Sequence, residues 1–240
     1  MKTVFITGAS KGIGLATVDA LLKNNCRVIA VYSSTEPTGE HENLIWVKID
    51  LSETDKLESI FQNILSDYSP EIVINNAGVF RNSPFTKETN SFLKDWEWTF
   101  RVNVTAPVLI SKIALEFWKE QKIEGRLINI TSRAAYRAET EEFPAYGASK
   151  AALNNFTKTV ARSYSKYGIT AVNIAPGFVE TDMAQEAIKL NGREALESQT
   201  STGTIAQPED IAELITFTAL ANTKHITGST FHMNSGSYLI

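Results

Sequence analysis

The run Thr3–Thr7 (TVFIT) stops at Gly8; Gly12 and Gly14 follow, then the helix-forming stretch ATVDALLKNN and a second β-branched run, Cys26–Tyr32. Strand, glycine turn, helix, strand is the opening of a βαβ unit. Each glycine has a separate role. Gly8 permits a tight turn, Gly12 lets backbone approach a pyrophosphate, and Gly14 lets the helix sit close on the strand. The helix N-terminus offers unpaired N–H groups and a positive dipole to the anion. The spacing G-x-x-x-G-x-G is one residue longer than G-x-G-x-x-G. The flanking strand and helix, more than the glycine count, therefore point to a nucleotide. Gly8, Ser10, Lys11, Gly12, Ile13 and Gly14 are the candidate contacts.

Further strands are expected at Leu44–Asp50, Ile72–Asn75, Leu127–Thr131, Thr170–Ala175 and Ser229–Asn234. Helices are expected at Ser52–Tyr68, along a long segment through Trp96, Phe100, Val104, Leu109, Ile113 and Phe117, at Tyr146–Tyr167 and at Pro208–Ala221. Pro107 fits that long segment only in a first turn or at a bend. Seven short apolar strands alternating with helices indicate a single α/β domain over residues 1–240, a doubly wound, mostly parallel seven-stranded sheet flanked by helices. The link between strands two and three, Ser33–Asn43, has 11 residues and contains Pro37 and Gly39. A crossover with a proper helix needs a dozen or more, so the helix there is expected to be short or absent.

Composition excludes several classes. With 23 Lys and Arg against 27 Asp and Glu the net charge is −4, which does not suit a nucleic-acid-coating surface. Cys26 is the single cysteine, so no intramolecular disulfide framework or Cys-rich zinc site exists, and the scattered His41, His225 and His232 lack metal-site spacing. No metal is expected. The start MKTVFITGAS reads as strand and turn rather than signal peptide, and no 18-residue apolar run spans a membrane. The default expectation is a cytoplasmic protein.

At the end of strand two, dinucleotide folds that prefer NAD carry an acid for the ribose 2′-hydroxyl. This chain has Val31-Tyr32-Ser33-Ser34, with no acid before Glu36. Hydroxyls from Ser33 and Ser34 and the charge of Lys11 suit a 2′-phosphate, so NADP(H) is expected in preference, with NAD(H) possible. Tyr146 and Lys150 stand four apart on one helix face. An ammonium beside the phenol is expected to lower its pKa toward working pH, making Tyr146 a proton donor or acceptor at a carbonyl or alcohol. Ser132, a small hydroxyl residue, ends strand five at the same sheet edge, where ligands of open α/β sheets gather.

With these motifs in order, the chain resembles the short-chain dehydrogenase/reductase family over essentially its whole length. The resemblance rests on TGASKGIG at 7–14, Asp50-Leu51, NNAG at 75–78, Asn103 in RVNVTAP, Ser132 in INITS, YGASKAA at 146–152, Pro176-Gly177 with Thr181, and Pro208–Ala212. It implies a Rossmann fold and a tetrad of Asn103, Ser132, Tyr146 and Lys150. Tyr146 would be the acid/base, and Ser132 would polarise the substrate oxygen. Lys150 would lower the Tyr146 pKa and hold the nicotinamide ribose, and Asn103 would hold a relay water. The resemblance further implies that Asp50 bonds the adenine amino group with Leu51 beside it, and that Asn76, Ala77 and Gly78 line the adenosine ribose. Pro176, Gly177, Val179 and Thr181 would contact the nicotinamide end. It also implies a homodimer or homotetramer built on the helices near Asn103–Lys119 and Tyr146–Tyr167.

The overall pattern looks most like 3-oxoacyl-acyl-carrier-protein reductases, so a small-molecule or carrier-bound carbonyl substrate is expected. The alternative is a non-catalytic dinucleotide-binding scaffold or regulatory protein of the same fold. The segment at about 178–205, with Met183, Ile188 and Leu190, is the candidate substrate-side lid. Two stretches depart from the family pattern. The gap from Ser132 to Tyr146 is 14 residues and contains Glu139, Glu141 and Glu142, read as a solvated loop or a device that rejects acids. Arg133 and Arg137 in the same gap stay open between the same two kinds of reading. Near the C-terminus, His232–Gly236 replaces a VDGG-like run, and the apolar Tyr238-Leu239-Ile240 suits packing on a neighbour.

Overall fold

The computed structural model describes residues 1–239, with the backbone alone at 186, 187, 190 and 191. The strands are β1 (Thr3–Ile6), β2 (Arg27–Tyr32), β3 (Leu44–Lys48), β4 (Ile72–Asn75), β5 (Arg126–Ile130), β6 (Thr170–Pro176) and β7 (Thr230–Met233). The helices are α1 (Gly12–Lys23), α2 (Thr54–Tyr68), α3 (Thr89–Phe100), α4 (Ala106–Gln121), α5 (Ala134–Arg137), α6 (Pro144–Tyr164), α7 (Asp182–Asn191), α8 (Arg193–Glu197) and α9 (Pro208–Leu220). The seven strands form one sheet in the order β3-β2-β1-β4-β5-β6-β7, and every adjacent pair is parallel. The order reverses between β1 and β4, which opens a crevice at the carboxyl ends of these strands.

Both faces of the sheet are covered, which is why its central strands are mostly apolar, with Asn75, Asn129 and Asn173 as buried polar exceptions. Phe5, Ile29, Val73 and Leu127 face one layer and pack with Phe61 of α2, Ile110 and Trp118 of α4 and Val160 of α6. Their neighbours Val4, Ile6, Val28, Ile74 and Ile128 face the other layer, under Val18 and Leu21 of α1 and Ile211 and Ile215 of α9. The expected doubly wound fold is therefore present, with a fully parallel sheet.

No helix forms between β2 and β3. The loop instead bends back on the sheet edge, where the Trp46 indole donates to the Gly39 carbonyl at 3.2 Å and Tyr32 meets Trp46 edge-on. The long helical segment differs from a simple helix. Residues Arg101–Thr105 form a π-turn between α3 and α4, and Pro107 lies in the first turn of α4, where its missing N–H costs little. The aromatic residues Phe92, Trp96 and Phe100 stack in sequence along α3, as helix packing predicts. The helix also carries the buried Asp95, which pairs with Arg81 and Lys87 and fastens the 76–90 loop.

The segment after β6 holds α7 and α8. It is tied at both ends by a Val179–Ala206 bridge and by a bond from the Ala206 N–H to the Phe178 carbonyl at 3.2 Å. Among the described residues no helix is long and apolar enough to cross a membrane.

Candidate active site

Gly8 and Gly12 both have left-handed backbone, with φ of 64° and 53°. A Cβ on Gly8 would lie 2.8 Å from the Cα of Ala77, and one on Gly14 would overlap the Gly8 carbonyl and reach 2.7 Å from Asn76 Nδ2. The turn is thus a close-packed cradle with its backbone exposed to the crevice. Asn76 holds it from behind, donating from Nδ2 to the carbonyls of Thr7 and Gly8 at 3.0 Å each. The Thr7 hydroxyl accepts from the N–H groups of Asn76 and Ala77 at 3.1 Å. Ser10 and Ile13 flank the turn at the start of α1, which carries no acidic residue in its first turn to compete with an anion. These features fit a dinucleotide pyrophosphate.

Ser33 and Ser34 are exposed just past the end of β2. The first acid beyond them, Glu36, pairs with Lys48 at 3.4 Å. Asp50 accepts from the Ser52 N–H and hydroxyl through one oxygen, at 2.8 Å each, while Leu51 is buried beneath it. Lys11 does not reach toward Ser33 in this structure. Its ammonium donates to Asp182 at the start of α7, at 3.1 Å.

Tyr146, Ser132, Lys150 and Asn103 come together at the carboxyl ends of β4 and β5, and all four are buried. The π-turn places Asn103, whose amide is used at both ends. Oδ1 accepts from the Val79 N–H at 2.8 Å, and Nδ2 donates to the Val79 carbonyl and to Ser149 Oγ, each at 3.0 Å. Such widened turns recur at functional sites because they redirect one side chain. A Cβ on Gly78 would lie 3.1 Å from Lys150 Nζ and 3.5 Å from Asn103 Oδ1, so this glycine keeps open the space between them.

The electrostatics correct one expectation. The sequence spacing predicts that Lys150 lowers the Tyr146 pKa, yet burial pushes the phenol up to about 12. The opposing pulls come from the neighbouring Ser132 hydroxyl and from the charge of Arg133. Lys150 points past the ring, with its ammonium 5.9 Å from the centroid and donating to the Ile130 carbonyl at 2.9 Å. Burial in turn brings the lysine down to about 8. Four residues of helical spacing place the two side chains on one face but do not aim the ammonium at the hydroxyl.

At the other wall, the Pro176 carbonyl accepts from the Arg133 N–H at 2.9 Å and the Gly177 N–H donates to Met233 at 2.8 Å. Val179 is buried, and the Thr181 methyl packs on Gly12. Of the expected lid residues, Met183 is exposed, Ile188 is half-buried, and the Leu190 side chain lies outside the described residues. The turn Asn234–Gly236 meets this segment through a 2.7 Å bond from the Ser201 N–H to the Ser235 carbonyl. Tyr238 packs on Tyr136 and His232 of its own chain, Leu239 is exposed, and Ile240 lies outside the described residues.

Sequence reasoning missed Phe80 and Phe143, which stack on each other at 4.0 Å and wedge Phe80 edge-on against the Tyr146 ring at 4.7 Å. It also missed Ser149 as the partner of Asn103. Phe80 lies two residues past the NNAG run, a proximity that marks it once the crevice is known.

A sequence profile of the short chain dehydrogenase family matches residues 2–191. The chain is 30% identical to the 3-oxoacyl-[acyl-carrier-protein] reductase FabG of Vibrio cholerae serotype O1, over 100% of this chain and 98% of that one. It superimposes on 4-hydroxyisoleucine dehydrogenase complexed with NADH with a TM-score of 0.89, at 31% identity over 99% of this chain and 98% of the other. A short chain dehydrogenase family protein from Francisella tularensis gives a TM-score of 0.85 at 26% identity, again over 99% and 98%. The glycine cradle, the buried tyrosine and lysine at the sheet edge and these full-length likenesses have one reading: the chain belongs to the short-chain dehydrogenase family of oxidoreductases.

Proposed function

We propose that the protein transfers a hydride between a nicotinamide dinucleotide and a carbonyl carbon, or a secondary alcohol in reverse, with NADP(H) preferred and NAD(H) accepted. The observation that carries this reading is the hydroxyl pair Ser132–Tyr146 beside the buried Lys150, at the same sheet edge as the glycine cradle. A bound nicotinamide would supply or accept the hydride. Gly8, Ser10, Gly12, Ile13 and Gly14 would hold its pyrophosphate, Lys11 with Ser33 and Ser34 the 2′-phosphate, and Asp50, Leu51, Asn76, Ala77 and Gly78 the adenosine side. Pro176, Gly177, Val179 and Thr181 would hold the carboxamide end. The cofactor preference rests on exposed Ser33 and Ser34 and on the engagement of Glu36 by Lys48. Acceptance of NAD(H) is supported by the NADH-complexed relative at 31% identity.

Tyr146, protonated throughout the neutral range, gives its proton to the carbonyl oxygen as carbon is reduced. Ser132 bonds that oxygen and steadies the phenolate left behind. Lys150, brought down to about 8, exchanges a proton near neutral pH and so can restore the phenol. Asn103 fixes the geometry by tying α6 to the loop after β4. A 3-oxoacyl thioester or other small ketone is the proposed substrate, supported by the name of the 30% identical relative. The segment 178–205 would close over it, and the chain would pair with copies of itself through α4 and α6.

The test is NADPH oxidation with a panel of β-keto esters, ketones and aldehydes. Wild-type turnover that is lost in Tyr146→Phe supports the reading. Equal activity in that variant overturns the mechanism, and dinucleotide binding without turnover of any substrate overturns the enzymatic reading.

A further inference from the structure

Arg133 follows Ser132 directly and is only 4% exposed. Its guanidinium lies over the Phe178 ring, with Cζ 3.7 Å from the centroid. Nη1 is fully buried and has no hydrogen-bond partner, and the side chain forms no ion pair among the described residues. Arginine is rarely this deep without a carboxylate, because burying an unpaired charge is strongly unfavourable. Among the described residues no carboxylate comes within ion-pair distance, although the charge of Glu139 favours the guanidinium from farther off. Arg137 repels it, and Glu139 is itself partly buried, with its carboxyl held above its ordinary pKa by that burial.

The position says which charge is missing. The Arg133 N–H is bonded to Pro176 and Phe178 follows Gly177, so the guanidinium stands at the wall between Ser132 and the end of β6. Its charge is felt at Tyr146, the proposed proton donor. The glycine cradle, where cofactor phosphates would lie, is built instead from the ends of β1 and β4. Phe178 lies over the guanidinium, and Nη1 is left buried with its donors unused. The planar fork of a guanidinium matches a carboxylate.

We infer that Arg133 receives a carboxylate of the substrate, which makes the physiological substrate an oxo acid, or a hydroxy acid in reverse, rather than a neutral ketone. This rests on the hydride-transfer reading above and replaces the thioester or neutral ketone named there with a carbonyl compound that carries a free carboxylate. Phe178, on the first turn of the proposed lid segment, covers the guanidinium and is the side chain that must yield as the carboxylate arrives. Glu139, whose charge is felt at the same arginine, disfavours a second anionic group.

The experiment compares pyruvate, acetoacetate and levulinate with their methyl esters, using NADPH and NADH, in the wild type and in Arg133→Met. At least one acid is expected to exceed its ester in kcat/KM by about 10- to 100-fold, the worth of hydrogen bonds to a charged group. In Arg133→Met that ratio falls toward one, chiefly through KM. Arg133→Lys restores part of it. Wild-type turnover without preference for any acid overturns the inference and leaves the hydride-transfer reading standing. Absence of turnover on every acid and ester counts against that reading, and titration calorimetry with butyrate, butanamide serving as neutral control, then decides the anion site. Saturable butyrate binding that is lost in Arg133→Met supports it, and its absence in the wild type overturns it. Folding is a further readout. Replacing an unpaired buried charge by an apolar side chain of similar length should leave the melting temperature unchanged or raise it. A marked fall would instead assign Arg133 a structural role and overturn the inference.

Discussion

The ammonium of Lys150 donates to the backbone carbonyl of Ile130 at 2.9 Å, within a pocket that leaves the side chain almost wholly buried. One carbonyl does not replace the hydration of a cation, and burial accordingly brings the lysine from 10.5 to about 8.

The consequence is a stability that rises with pH. Below about pH 8 the folded chain carries a buried cation, and between about 8 and 10.5 the unfolded chain binds more protons than the folded one. Stability therefore increases across that window, by up to about 3 kcal/mol. Tyr146 acts in the opposite sense: its proton leaves the unfolded chain near 10 but the folded chain only near 12, so stability falls above pH 10. Urea unfolding of the wild type and Lys150→Met at pH 7 and 9.5 checks this. The wild type should gain on the variant as pH rises, and parallel pH profiles would count against a charged, buried Lys150.

Gly78 offers a test of the space beside that lysine. Its φ lies outside the left-handed region, so alanine is tolerated by the backbone, yet a Cβ would sit 3.1 Å from Lys150 Nζ. The ammonium must move by a few tenths of an ångström. Gly78→Ala is expected to lower kcat about 10- to 100-fold, as small displacements at a reacting centre do. Unfolding stability should change by less than about 1 kcal/mol. An unchanged kcat would mean that the position of the ammonium is not critical to turnover.

The fold was legible because its signals are local. Gly8, Gly12 and Gly14 stand between a strand and a helix, and the 11 residues of Ser33–Asn43 are too few for a crossover helix. The gathering of Asn103, Ser132, Tyr146 and Lys150 was legible through family motifs rather than through spacing. What sequence could not supply was direction. Helical periodicity places Lys150 on the face of Tyr146 but not its ammonium on Ile130, and Lys11 lies in the turn without showing that it reaches Asp182. The π-turn that presents Asn103 has no composition of its own. Contacts between distant segments were equally hidden: Arg126 opens β5 as one more polar residue, yet it closes the end of a helix more than ninety positions later.

That arginine carries a stability prediction. Its guanidinium donates to the carbonyls of Thr218 at 2.6 Å, Ala221 at 2.8 Å and Thr223 at 3.0 Å, satisfying the otherwise unpaired C-terminal end of α9 with a favourable charge. It also bonds the Thr170 hydroxyl at 3.1 Å, linking β5 to β6. Arg126→Met should cost about 3 kcal/mol in chemical unfolding, and Arg126→Lys should recover only part, since an ammonium cannot span the same carbonyls. A loss below about 0.5 kcal/mol would show that water caps the helix equally well.

The ion pair between Lys11 and Asp182 joins the glycine turn to the first residue of α7, and both side chains are exposed. Lys11 can serve the 2′-phosphate of NADP(H) only by leaving Asp182, so the aspartate competes with the cofactor. Asp182→Asn should tighten NADPH about two- to fivefold, the scale of a solvent-screened pair, and change NADH less. Lys11→Ala should weaken NADPH more than NADH. In the double variant the gain from Asp182→Asn should vanish, because the lysine it would release is gone. Fluorescence titration of the four proteins with both dinucleotides measures all of these constants. Equal losses of NADPH and NADH in Lys11→Ala would reassign the lysine to the pyrophosphate common to both, and the cofactor preference would then rest on Ser33 and Ser34 alone.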